Sequence, residues 1–150
     1  MLKTIVPAAA VIGVLAAAST ASAQVRDASY RGTLVCGKVP FIRSPARSAI
    51  DVSITGNSAK YTHAVIISGR AVIGTETGAG TVDGAKINLK GQWKGDKLEY
   101  SASYSGSFVR RSAKLSGVQT WTHGGKTETR ECTGAIKRPL AAFLPKRKKA

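Results

Sequence analysis

The sequence contains little of the residue types on which metal and catalytic sites depend. Of its 150 residues, two are cysteines and two are histidines, and no C-x-x-C or H-x-x-x-H pair occurs. Compact pairs of that kind build structural zinc sites, so we expect neither a metal nor another cofactor. The sequence also lacks a G-x-S-x-G elbow, a phosphate loop and a dinucleotide fingerprint. These absences disfavour several common enzyme classes.

Long apolar runs are confined to the N-terminus. Lys3 precedes an apolar stretch from Ile5 to Ala18, and small residues follow, ending in Ala21-Ser22-Ala23. This order is typical of a secretory signal peptide, here residues 1–23. The alternative is a transmembrane anchor, which needs roughly 20 apolar residues, whereas this run is shorter and contains Pro7. We therefore expect an exported protein, periplasmic or secreted.

The two cysteines, Cys36 and Cys132, lie far apart in the chain. In an oxidising compartment an even pair indicates a disulfide. Two free thiols are the alternative. The chain left after signal cleavage is 127 residues long, which fits one domain.

Helical periodicity is absent from the body of the chain, where apolar residues instead alternate with polar ones. Ile87, Leu89 and Trp93 share one side of a segment whose other side carries lysines. A period of two is typical of half-buried antiparallel strands. Short glycine-bearing connectors separate the segments, among them Ser68-Gly69-Arg70 and Ser105-Gly106-Ser107. Gly78-Ala79-Gly80 is expected to form a bend or bulge within a strand. The pattern predicts an all-β domain of about eight strands, near residues 29–36, 48–55, 58–67, 70–82, 86–94, 97–104, 108–121 and 126–135.

A meander of this length can hide its edges by closing into a barrel or by folding as a sandwich. Cys36 ends the first predicted strand and Cys132 lies in the last, so a bond between them makes those strands neighbours. This favours a closed up-and-down, lipocalin-like barrel over residues 24–136.

Some polar side chains fall on the face that should be buried. Residues two apart along a strand share a face, so an inward Trp121 places Gln119 inward as well. In the last strand, an inward Cys132 likewise places Arg130 and Glu128 inward. Glu76 is likewise on the inner face. Buried charge is costly unless paired, so Arg130 either meets a carboxylate or the register differs. These groups could line a ligand pocket, although side chains alone can fill a barrel of eight strands. The speculative pocket comprises Trp93, Tyr100, Tyr104, Gln119, Trp121, Glu128 and Arg130.

Acidic residues are scarce. Eight Asp and Glu face 23 Lys and Arg, for a net charge of +15. The predicted tail, 137–150, has two prolines and is expected to be disordered. The positive electrostatic field of such a protein attracts anionic partners such as lipid headgroups, lipopolysaccharide or acidic polysaccharide. Nucleic acid is a less favoured partner because the protein is expected to be exported. We expect anionic-surface binding by the tail residues Lys137, Arg138, Lys146, Arg147, Lys148 and Lys149.

Two resemblances accompany these patterns. The segments Tyr30–Cys36, Gln92–Gly95, Tyr104–Gly106 and Thr120–Cys132 resemble a group of small secreted bacterial proteins without an assigned function. The architecture also resembles the periplasmic C-type lysozyme inhibitors, small barrels with an early and a late cysteine. That likeness implies a protein inhibitor, although an inhibitor of a cationic enzyme should be acidic and this body is basic.

The sequence thus predicts an exported, non-enzymatic binding protein. A small-ligand carrier and an inhibitor are alternatives, and so is a hydrolase whose site the sequence does not reveal. The two histidines, His63 in a strand and His123 in a loop, are expected to be structural or exposed.

Overall fold

The computed structural model describes residues 27–42, 44–67 and 71–140. Within these ranges the secondary structure is antiparallel β, and no helix is long and apolar enough to cross a membrane. The strands are β1 (Ala28–Cys36), β2 (Ala46–Thr55), β3 (Ser58–Ile66), β4 (Val72–Asp83), β5 (Lys86–Lys94), β6 (Leu98–Val109), β7 (Ser112–His123) and β8 (Lys126–Lys137).

The strands form a closed barrel in which each strand pairs with the next and β8 pairs with β1. The β1–β8 seam runs from Arg31 opposite Lys137 to Cys36 opposite Cys132. The two cysteines form a disulfide across this seam. The predicted all-β class, closed barrel and disulfide are therefore confirmed.

The turns differ from the prediction at one position. Ser105-Gly106-Ser107, expected to connect two strands, lies inside β6. Gly106 is required there because a Cβ atom would lie 2.2 Å from the carbonyl oxygen of Lys114. The real turn is at Arg110-Arg111, where Arg110 adopts a φ of 57° that non-glycine residues rarely take. The expected connector Ser68-Gly69-Arg70 lies outside the described residues.

Two further details correct the sequence interpretation. A bend or bulge was expected at Gly78-Ala79-Gly80, but β4 stays in continuous register with both neighbours there. Glycine is needed because a Cβ at Gly78 would overlap the Tyr61 ring. The register shift lies instead at Val65/Ile66. The last strand also includes Lys137, which the prediction had assigned to the tail.

The barrel has two different ends. The hairpin end carries the tight β2–β3, β4–β5 and β6–β7 turns and the end of β8. The loop end carries the β1–β2 connection, whose Val39 and Ile42 are buried in the core. Phe41, in the same connection, packs with its ring centroid 6.1 Å from that of Trp121. The β1–β2 connection therefore covers part of the loop end.

The disulfide is expected to stabilise the barrel substantially because it closes a loop of 96 residues across the seam. The chain-entropy model gives about 4–5 kcal/mol for a loop of that length, and measured losses are typically 2–5 kcal/mol. We predict that a Cys36→Ala/Cys132→Ala variant has a free energy of unfolding lower by about that amount. Urea denaturation checks this, with reduced wild-type protein as the control. A variant as stable as the oxidised protein would contradict the prediction.

Candidate functional site

A cluster of polar side chains lies inside the barrel, centred on Glu76 of β4. The Glu76 carboxylate is fully buried. Tyr61 and Tyr100 donate hydrogen bonds to it, the second at 2.7 Å, and Tyr104 donates a longer one at 3.2 Å. The Nδ1 atom of His63 lies 2.8 Å from Oε2, the oxygen that also accepts from Tyr100 and Tyr104. Strands β3 and β6, on either side of β4, thus supply donors to one buried carboxylate.

These donors decide the ionisation of Glu76. Burial raises the pKa of a carboxyl group, but the hydrogen bonds from His63, Tyr61 and Tyr100 outweigh burial and lower the pKa of Glu76. Burial and the neighbouring Glu76 charge together raise the pKa of Tyr100 far above its ordinary value. The tyrosines therefore stay protonated as donors while Glu76 stays ionised.

His63 connects Glu76 to a serine. The Nε2 atom of His63 lies 2.5 Å from Oγ of Ser48 on β2. An ionised carboxylate only accepts hydrogen bonds, so Nδ1 of His63 carries a proton, and in the neutral ring Nε2 then accepts from the Ser48 hydroxyl. This is the serine–histidine–carboxylate order of acyl-transfer enzymes. Ser48 is only 5% exposed, however, so a substrate reaches its hydroxyl only if the covering structure moves.

On its other side the cluster continues to Arg130. Tyr104, which donates to Glu76, accepts a hydrogen bond from Nε2 of Gln119 at 2.8 Å. Oε1 of Gln119 in turn accepts from Nε of Arg130 at 2.7 Å and from Nε1 of Trp121 at 3.2 Å. One chain of hydrogen bonds therefore joins Ser48 on β2 to Arg130 on β8.

Arg130 faces inward, as the alternation predicts, but its main partner differs from the expected carboxylate. The guanidinium lies 4.8 Å from the Trp121 ring centroid, a cation–π distance, and Nη1 is buried without a hydrogen-bond partner. Burial lowers the pKa of Arg130, while Tyr100, Tyr104 and Glu76 act to raise it. An amide oxygen and an indole face are thus the nearest partners of this cation.

The structure brings together most of the predicted pocket residues. Tyr100, Tyr104, Gln119, Trp121 and Arg130 are each less than 5% exposed and pack against one another. Trp93 is half-buried, with its ring centroid 6.1 Å from that of Trp121. Glu128 is half-buried on the same face but forms no ion pair with Arg130. At these positions the interior is occupied by the side chains themselves.

Sequence reasoning missed three members of this cluster: Ser48, Tyr61 and His63. The signal was present, since the alternation of β3 places Ala59, Tyr61, His63 and Val65 on one face. Carrying that pattern through would have placed His63 and Tyr61 inside the barrel. Within the described residues, no group of three His, Cys, Asp or Glu side chains could hold a metal ion.

A second feature lies outside the barrel, at its hairpin end. Five exposed basic residues surround the β6–β7 turn and the end of β8, and we call them the basic end: Arg110, Arg111, Lys114, Lys137 and Arg138. The pairing of β7 with β8 brings these residues together. Lys137 lies opposite Ser112, and the Arg138 amide donates a hydrogen bond to the Arg111 carbonyl at 2.8 Å. None of the five forms an ion pair with a described carboxylate.

Two exposed apolar side chains flank the basic end. Val109, directly before the turn, is 69% exposed, and Leu140 is 79% exposed. Arg111 holds the chain near Leu140 by donating from Nη2 to the Pro139 carbonyl at 2.9 Å. Of the predicted tail residues, Lys146, Arg147, Lys148 and Lys149 lie outside the described part of the chain.

The stability of the barrel should depend on pH through Glu76. A carboxyl group whose pKa is lower in the folded than in the unfolded state stabilises the fold at pH values above its unfolded-state pKa. This stabilisation is lost as the pH falls towards and through the folded-state pKa. Because the ordinary value is 4.5, we predict a loss of thermal stability that begins near pH 4.5 and grows below it. Melting curves between pH 2 and pH 7 measure the effect.

Two variants separate Glu76 from the other carboxyl groups. Glu76→Gln should flatten the acid limb of the stability profile. Tyr100→Phe should keep the charge of Glu76 but remove one hydrogen-bond donor to it. The free energy of unfolding should fall by about 1.5–3 kcal/mol. An acid limb in Glu76→Gln identical to that of the wild type would show that other carboxyl groups cause it.

Similarity to known proteins adds no constraint on either feature. No protein-family model and no curated protein matches this sequence. The chemistry of the two sites therefore has to carry the functional argument.

Proposed function

We propose that this chain is an exported, non-enzymatic binding protein that associates with an anionic component of the cell envelope. The basic end, extended by the basic residues 146–149, is the contact surface. The observation that carries this proposal is the group of five exposed cations without described carboxylate partners.

The energetics favour such an association. Each Lys or Arg near an anionic membrane surface contributes about 1 kcal/mol of attraction. Exposed cations that form no ion pair keep their charge available to a partner, whereas Arg31 elsewhere is already 2.9 Å from Asp51. Several cations at one end of the barrel therefore give a substantial affinity for an anionic surface without a specific binding pocket.

The apolar neighbours of the basic end suit a lipid surface in particular. Val109 and Leu140 expose most of their surface beside the cations. Apolar side chains that enter the headgroup region add to electrostatic attraction. Anionic lipid headgroups, including those of lipopolysaccharide, are thus the partner class that this surface fits best.

The backbone of the β6–β7 turn also points to a role for its arginines. Glycine, asparagine or aspartate would fit the positive φ of Arg110 with less strain. A residue kept in a sparsely populated conformation costs of order 1–3 kcal/mol, and such residues cluster at functional sites. Its presence at the tip of the basic end is consistent with selection for charge rather than for turn stability.

The packed interior gives less support to the small-ligand carrier. The residues that would line a pocket hydrogen-bond and stack with one another, so a ligand must displace those contacts to enter. The inhibitor alternative gains no specific feature from the described residues.

The proposal predicts charge-dependent binding to anionic vesicles. The chain 24–150 should bind phosphatidylglycerol-containing vesicles at low salt, and binding should weaken steeply as salt rises. Replacing Arg110, Arg111 and Lys114 with glutamine should weaken binding on the order of 100-fold, at about 1 kcal/mol per residue. Vesicle co-sedimentation across a salt series measures this.

A matched variant separates position from total charge. Lys38, Lys97 and Lys126 are exposed and lie at the loop end of the barrel, so replacing them with glutamine removes the same charge away from the basic end. This control should bind almost as well as the wild type. Equal losses in the two triple variants, or equal binding to zwitterionic vesicles, would refute the proposed surface.

A second candidate function rests on the order Ser48–His63–Glu76. In a hydrolase of this type, Oγ of Ser48 attacks an acyl carbonyl and its proton passes to Nε2 of His63, which then protonates the leaving group. Water releases the acyl group in the reverse sequence. The two distances, 2.5 Å and 2.8 Å, are the observations that favour it.

A fluorophosphonate probe tests this second candidate. If the serine is a nucleophile, the wild type should be labelled at Ser48, and Ser48→Ala and His63→Gln should each abolish labelling. Absence of labelling in folded wild-type protein, with a serine hydrolase as a positive control, would refute it. Vesicle binding is measured separately, so either function can fail alone.

A further inference from the structure

The barrel wall divides between β4 and β5. Their pairing extends from the turn to Thr77 opposite Gln92 and stops there. Beyond that point β4 continues to Val72 along β3, and β5 continues to Lys94 along β6. The two strands therefore separate near the loop end, and we call the opening the fork.

A groove of about 670 Å³ lies at the fork and extends over the outer faces of β6 and β7. This volume is within the range of small-molecule sites. The side chains that line it are Thr75, Thr77, Gln92, Trp93, Lys94, Glu99, Tyr100, Ser101, Thr120 and Thr122.

Neutral hydrogen-bonding groups dominate this lining, and pairing arranges them in a row. Thr77 lies opposite Gln92, Gln92 opposite Ser101, and Ser101 opposite Thr120. Adjacent strands are about 4.7–4.9 Å apart, so hydroxyl and amide groups recur at that interval along the groove. Each hydroxyl both donates and accepts, as does the amide. The row is thus complementary to a chain of hydroxyl groups with a similar repeat.

The charges of the groove balance. Lys94 and Glu99 lie 3.9 Å apart and are the charged residues of the lining. The groove therefore has no excess charge to attract an ion, in contrast to the basic end at the other end of the barrel. A neutral ligand fits it better than an acidic polymer does.

Trp93 alternates with Gln92 and so belongs to the inner face of the wall, and its side chain lines the groove where β4 and β5 have separated. Its indole packs against Gly74, where a Cβ atom would lie 2.3 Å from Nε1, so the glycine makes room for the ring. The side chain is only half-buried. The part of the indole that stays exposed at the fork suits the apolar C–H face of a sugar ring, whose polar edges would meet the row of hydroxyl groups.

We propose that the fork groove binds a short segment of a neutral polysaccharide. Two or three sugar units would lie across the strands, with hydroxyl groups paired to the threonine, serine and glutamine row and one ring against Trp93. This site is separate from the basic end, and its ligand belongs to a different chemical class.

Binding is tested with neutral tetrasaccharides: cellotetraose, maltotetraose and the tetramer of N-acetylglucosamine, with tetragalacturonate as the acidic counterpart. Acrylamide quenching of tryptophan fluorescence reports on Trp93, because Trp121 is fully buried. At least one neutral tetramer should reduce quenching in a saturable manner, with an affinity unchanged by salt. Tetragalacturonate should bind at least tenfold more weakly.

The variants preserve shape while removing hydroxyl groups. Thr77→Val/Thr120→Val should weaken binding at least tenfold, and the variant should melt like the wild type. Thr133→Val is the matched control, since Thr133 is exposed on β8 outside the groove. If no neutral tetramer binds, or if binding is unchanged in the double variant, the proposal is wrong. Vesicle binding by the basic end does not depend on either result.

Discussion

The carboxylate of Glu76 imposes the strongest constraint on this barrel. An ionised carboxylate without partners is costly to bury, so its neighbours must supply donors. Tyr61, His63, Tyr100 and Tyr104 do so from β3 and β6, on either side of the strand that carries Glu76. The donors approach from several directions and require particular side-chain positions on separate strands. Glu76 therefore favours one arrangement of the interior over the many packings that apolar side chains alone would accept.

Glycine makes that arrangement sterically feasible. At Gly91 a Cβ atom would lie 2.1 Å from the Tyr61 hydroxyl and 2.8 Å from Oε1 of Glu76. A side chain there would therefore displace the Tyr61–Glu76 hydrogen bond. Gly78, opposite Gly91, accommodates the ring of the same tyrosine. The polar centre thus depends on small residues in the wall as much as on its own donors.

Alternation along the strands predicted the all-β meander and the inward position of Glu76, Gln119 and Arg130, and the positions of the two cysteines favoured its closure into a barrel. It did not predict their partners, because these depend on the register between strands. His63 lies opposite Glu76 and Gln119 lies opposite Arg130, whereas Tyr100 and Tyr104 reach Glu76 from β6, two strands away from β4. Ser48 and His63 are diagonal neighbours on β2 and β3, since His63 lies opposite Ile50, and no sequence motif marks their contact. Glycine was also ambiguous: Gly106 was interpreted as a turn residue, although it is needed for close approach within β6. The true turn was missed because arginine is unusual at a positive φ.

The distribution of the few carboxylates explains why one end of the barrel remains basic. Glu76 is buried in the core, Asp51 pairs with Arg31, Glu99 lies near Lys94, and Asp27 accepts a hydrogen bond from the Gly56 amide. These acidic groups are engaged in folding or in local neutralisation, and none of the ion pairs among the described residues includes a cation of the basic end. With only eight acidic residues against 23 basic ones, the protein has little means of compensating that turn. The charge asymmetry therefore follows from the same scarcity of acid that makes the single buried carboxylate so influential.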